Sequence, residues 1–95
     1  MKTKLDRYDL TVIINGLNTM RTQYGQKSND YLCDLILRLI DIYDNTKPKR
    51  KAKIIFDSNE LSVIRIVLID WRNLFISTGH PGAAEGVGEL LVKIS

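Results

Sequence analysis

With one cysteine, Cys33, the chain cannot close a disulfide on itself. With one histidine, His80, it lacks the usual ligands of a structural zinc site. Long apolar runs are missing too. The longest, Ile66 to Ile69, is far short of the roughly 20 residues that span a bilayer. The first apolar residue after Met1 is Leu5, and Asp6, Arg7 and Asp9 follow at once, a pattern unlike a secretory signal. These absences point to a soluble cytoplasmic protein with no membrane association, no cofactor and no metal site.

What is present suits one folded domain over residues 1–95. An apolar fraction of 44% and a charged fraction of 26% are ordinary for a chain with a core and a solvated surface. The net charge of +3 is unevenly placed. Lys47, Lys49, Arg50, Lys51 and Lys53 crowd one segment, and without those five the remaining nine basic residues face eleven acidic ones. The basic character therefore belongs to a segment rather than to the whole surface.

Apolar periodicity predicts an all-α fold of four helices. Leu10, Ile13, Leu17, Met20 and Tyr24 recur at helical spacing, and Gly25 follows as a terminator. Ser28 or Asn29 is the expected cap of a second helix reaching about Asp44, which is apolar over most of its circumference. Residues 46–55 read as an exposed basic linker broken by Pro48, with an extended end at 53–56. Asp57-Ser58-Asn59-Glu60 has the form of a capping box before a third helix carrying Leu61, Ile64, Leu68, Trp71 and Phe75. Its β-branched stretch over 63–69 would also suit a strand, but the cap and the period favour helix. After the break at Thr78-Gly79-His80-Pro81-Gly82, a short last helix is expected to turn Ala84, Val87, Leu91 and Ile94 inward.

The chain also matches itself. An offset of 51 residues pairs Lys2 with Lys53, Asp6 with Asp57, Asp9 with Glu60, Leu10 with Leu61, Ile13 with Ile64, Leu17 with Leu68 and Arg21 with Arg72. Four more residues in the second loop raise the offset to 55, which pairs Leu35 with Leu90, Arg38 with Lys93 and Ile40 with Ser95. Matched charges are not explained by amphipathic period alone. The prediction is two duplicated antiparallel αα-hairpins, 5–45 and 56–95, packed across a pseudo-two-fold axis. The basic segments ahead of each hairpin, residues 2–5 and 53–56, would then form a minimal ribbon. Arg21 and Arg72 would pair with carboxylates across the axis.

Three functional readings follow. The leading one is a non-enzymatic interaction module with a protein partner, expected as a homodimer because Leu37, Ile42, Ile66, Ile69 and Ile76 lie off the main apolar stripes. The second is nucleic-acid binding by Lys47, Lys49, Arg50, Lys51 and Lys53, whose cations could neutralise phosphates. The third is a small anionic ligand at the glycine-rich turn 79–88, centred on Gly79, His80 and Gly82 at a helix start. No catalytic constellation is apparent. His80 and Glu85 are the nearest approach to an acid–base pair, and Cys33 reads as a core residue.

Overall fold

The computed structural model describes residues 2–94. Its element order is β1 (Lys2–Asp6), α1 (Arg7–Met20), a single 3₁₀ turn (Arg21–Tyr24), α2 (Gln26–Asn45), β2 (Lys51–Ile55), α3 (Ser58–Ser77) and α4 (Pro81–Ile94). The chain is thus nearly all helical with one two-stranded antiparallel ribbon. The match of Ile40 with Ser95 lies outside the described residues.

Both helices that follow a strand start the same way. The Asp6 carboxylate accepts from the amide of Asp9 at 2.8 Å, and the Asp9 carboxylate accepts from the amide of Asp6 at 3.2 Å. Asp57 and Glu60 repeat the arrangement at 2.7 and 3.1 Å. Each box satisfies two amides that a helix start leaves without partners. In each case the ribbon therefore passes straight into a helix.

Leu10, Ile13 and Leu17 of α1, Leu32, Leu35 and Leu39 of α2, Leu61, Ile64 and Leu68 of α3, and Val87, Leu90 and Ile94 of α4 close the core, with Leu5, Ile54 and Phe56 beneath the ribbon. In α4 Ala84, Val87 and Ile94 face inward as expected, joined by buried Leu90, while the expected Leu91 is half-buried against the same core. α3 is helical throughout 63–69, since its period lets Ile64, Val67 and Leu68 reach the core together. α1 crosses α3 at Gly16, where an added Cβ would stand 2.7 Å from Cε3 of Trp71.

Two expected boundaries move. α2 begins at Gln26, with Gly25 at φ 89° in the cap position and no side-chain cap, so neither Ser28 nor Asn29 plays that part. The residue expected to end one helix also starts the next, because glycine can take the left-handed φ at the corner. Residues 51–55 are an ordered strand and not linker. The ribbon uses 2–6 and 51–55 in place of 2–5 and 53–56.

In the ribbon, Thr3 lies opposite Ile54, its counterpart at the 51-residue offset. The ion pairs reciprocate in the same way. Asp9 receives the Lys93 ammonium at 3.0 Å, and Glu60 receives the Arg38 guanidinium. Asp9 is matched to Glu60 and Arg38 to Lys93 in the sequence, so each hairpin supplies the cation for the cap of the other. Arg21 and Arg72 do not take the role expected of them: Arg21 bonds Asn18 and Asn29, and Arg72 lies exposed beside Gly88.

Candidate nucleic-acid interface

Side chains alternate across a strand, so a ribbon laid on a core has one buried and one solvated face. Thr3, Leu5 and Ile54 point into the core, with Ala52 half-buried beside them. Lys2, Lys4, Lys51, Lys53 and Ile55 face solvent. Lys4 is directly opposite Lys53 in the ladder. Like charges opposed across a ribbon destabilise it. The turn before β2 carries Lys47, Lys49 and Arg50, all exposed, so half of the chain's 14 basic residues lie on this ribbon and its leading turn.

None of these seven side chains is in a hydrogen bond or ion pair described among residues 2–94, although Lys51 adds to the field at Asp6. Asp6 is the one carboxylate on the ribbon and is committed to the cap of α1. The amide of Asp9 holds its carboxyl below the usual aspartate range, against the opposing effect of burial, and the Asp9 side chain, Lys93 and Lys51 add to the lowering. Asp6 therefore steadies the α1 start above ordinary aspartate pKa values and loses that hold as pH falls through its lowered pKa.

Sequence reasoning located Lys47, Lys49, Arg50, Lys51 and Lys53, and the structure brings them together with two residues it missed, Lys2 and Lys4. The signal for those two was the match of Lys2 with Lys53, which implied that the two basic segments are neighbours.

The turn 47–50 holds a second observation. Arg50 donates its amide to the carbonyl of Lys47 at 3.1 Å, and Lys49 sits at φ 65°. Pro48 followed by a positive φ is the pattern of a turn that favours glycine in third position. A lysine there costs about 1 kcal/mol of backbone strain. Lys49→Gly is expected to raise stability by about 0.5–1 kcal/mol in chemical denaturation while weakening binding to a polyanion. Unchanged binding would remove Lys49 from the site.

The other expected sites fare differently. The segment 79–88 is not an open glycine turn, because α4 starts at Pro81 and contains Gly82, Gly86 and Gly88. Gly79, at φ 79°, donates its amide to Ile76, and His80 donates to Phe75 at 2.8 Å. Those two amides are therefore unavailable to an anion. The His80 ring lies 3.1 Å from the Thr78 hydroxyl. Cys33 is half-buried, with Arg21 Nη1 3.9 Å from its sulfur. No group of three His, Cys, Asp or Glu residues that could hold a metal is found among the described residues.

An apolar groove of about 330 Å³ opens between the start of α2 and α3, lined by Tyr24, Tyr31, Leu32, Val63 and Ile66. Both phenols are engaged. Tyr24 donates to Asp70 at 2.6 Å, and Tyr31 accepts from Asn59 at 3.1 Å. Burial first, then the Asp70 carboxylate, pushes the Tyr24 phenol well above its usual range. No described helix is long and apolar enough to cross a membrane.

Comparison with protein-family models, with curated protein sequences and with solved structures finds no match for this chain.

Proposed function

We propose that this protein is a non-enzymatic binding module for duplex DNA, built by duplication of a strand and helical hairpin, with the lysine face of the ribbon as its contact surface. The observation that carries the reading is the unpaired array of Lys2, Lys4, Lys51 and Lys53, with Lys4 opposed to Lys53 at a cost to folding. A repulsive array gains from a polyanion what it loses in the free protein. The register of Thr3 against Ile54, the paired capping boxes and the reciprocal ion pairs support duplication.

Duplex DNA fits better than other nucleic acids. A major groove about 12 Å wide admits a two-stranded ribbon, whose strands are about 4.8 Å apart. The corresponding groove of A-form RNA is too deep and narrow for side chains to read. Single strands are held chiefly by aromatic platforms, and the solvated face of this ribbon has no aromatic residue. The test is anisotropy of a labelled duplex across a salt series. Micromolar binding at low salt whose logarithm falls linearly with log salt is expected, with a slope near −0.9 for each phosphate neutralised. No binding at low salt would reject the reading.

A second reading, a protein partner or a second copy, rests on one observation. Ser62, Ile66, Ile69, Asn73 and Ile76 form an uncharged stripe along α3, with Ile66 and Ile76 each 55% exposed and Ile69 43%. Leu37 is exposed on α2, whereas Ile42, expected with them, is half-buried against the core. If the stripe pairs two copies, sedimentation will show a dimer that Ile66→Glu with Ile69→Glu dissociates. A monomer at all concentrations would leave the stripe to another protein.

A further inference from the structure

The two halves of the ribbon are not alike, and their difference bears on the DNA sequence that would be bound. With the axis between Thr3 and Ile54, the 51-residue offset relates Lys2 to Lys53 and Lys4 to Ile55 on the solvated face. The first pair is two lysines, the second a lysine and an isoleucine. The turn that leads into β2 carries Lys47, Lys49 and Arg50, next to Lys51 at the first position of the strand. The ribbon end formed by Asp6 and Lys51 therefore adjoins the cationic turn, while the end formed by Lys2 and Ile55 does not. Charge is concentrated at one end, and an isoleucine left 70% exposed stands at the other.

Resting on the duplex-DNA reading above, we infer that the target is an asymmetric DNA site, with a thymine facing Ile55 where the axis-related position facing Lys4 holds a guanine. The chemistry of base edges in the major groove makes the assignment. Thymine is the base that presents a methyl group there, and guanine presents two acceptors, O6 and N7, to a lysine. Ile55 is the only apolar side chain on the solvated face of the ribbon, and burying it against a methyl recovers apolar surface that the free protein leaves in water. A two-fold homodimer imposes matching half-sites on its DNA. A single chain with unlike halves carries no such constraint. The cationic turn holds phosphates at the opposite end of the ribbon and so fixes the orientation of the protein on the site.

The experiment is selection from a library of randomised duplexes with the full chain, followed by affinity measurements on the selected duplex. A motif without internal two-fold symmetry is expected. Replacing its key thymine by uracil, which removes only the methyl, is expected to weaken binding about fourfold, the effect of one buried methyl group. Ile55→Ala should abolish that sensitivity to uracil. Ile55→Lys, which makes the two halves alike at this position, should select a more nearly palindromic motif. Ile55 is exposed, so Ile55→Ala should leave the melting temperature nearly unchanged, whereas Ile55→Lys sets a second lysine opposite Lys2 and should lower it slightly, as Lys4 opposite Lys53 does. A palindromic motif, no motif, or indifference to uracil with salt-dependent duplex binding intact would overturn this inference alone. Absence of salt-dependent binding to any duplex would overturn the function on which it rests.

Discussion

Replacing Lys2, Lys4, Lys51 and Lys53 together by glutamine is expected to weaken duplex binding by about 100-fold or more at low salt. A lysine on a phosphate is worth about one unit of salt slope, and its loss weakens binding to all sequences alike. Losing Lys2, Lys51 and Lys53 from phosphates should flatten the slope by about 2 to 3, and with the base contact of Lys4 also gone, somewhat under 1 kcal/mol for each of the four gives that fold-change. Stability should move the other way. Lys4 and Lys53 oppose each other in the ladder, so removing both charges is expected to stabilise the fold by a few tenths of a kcal/mol, up to about 1. Opposite signs for binding and folding would mark the array as serving the ligand rather than the fold. A variant that binds with unchanged slope would show that phosphates are held elsewhere.

The largest effect on folding is expected at Gly16, where α1 crosses α3. A Cβ built there would meet Trp71 Cε3 at 2.7 Å and Leu68 Cδ2 at 3.1 Å, below the spacing at which side chains pack. The half-buried Trp71 ring also lies 4.8 Å from that of Phe75, so displacing it disturbs that contact as well. Gly16→Val is therefore expected to cost about 2–3 kcal/mol through overpacking. In a chain of this size that corresponds to a fall in Tm of roughly 10–20 °C by calorimetry. The substitution is informative because the counterpart of Gly16 at the 51-residue offset is Val67, which is buried without difficulty. A neutral result would mean that the two helices are free to separate at this crossing.

Much of this architecture is legible in the sequence because local signals and tertiary structure agree. Asp57-Ser58-Asn59-Glu60 announces a helix start by its chemistry alone, and the structure forms that box. The apolar period of α3 outweighs its β-branched content because Ile64, Val67 and Leu68 are all buried at once only in a helix. The last helix forms where its apolar period predicts it, although Gly82, Gly86 and Gly88 lie within it. Each weakens a helix by about 1 kcal/mol, but Ala84, Val87, Leu90 and Ile94 bury a continuous face that recovers more.

The site was only half legible. Lys47 to Lys53 stand out as a charge run, whereas Lys2 and Lys4 are two ordinary lysines near a terminus until the strand pairing sets them beside Lys53 and Lys51. Antiparallel pairing of residues some 50 positions apart leaves no local mark. Only the internal match of Lys2 with Lys53 hinted at it. Charge gathered by tertiary structure shows along the chain only through that repeat, which already sets residues 2–5 beside 53–56.

The most direct measurement is mapping of backbone amide shifts in the labelled protein on addition of a short DNA duplex. Perturbations concentrated on Lys2–Asp6, on residues 47–50 and on Lys51–Ile55, and fading as salt is added, are the predicted result. Perturbations centred on α3 or on the start of α4, or none at low salt, would contradict the assignment of the ribbon as a DNA-binding surface.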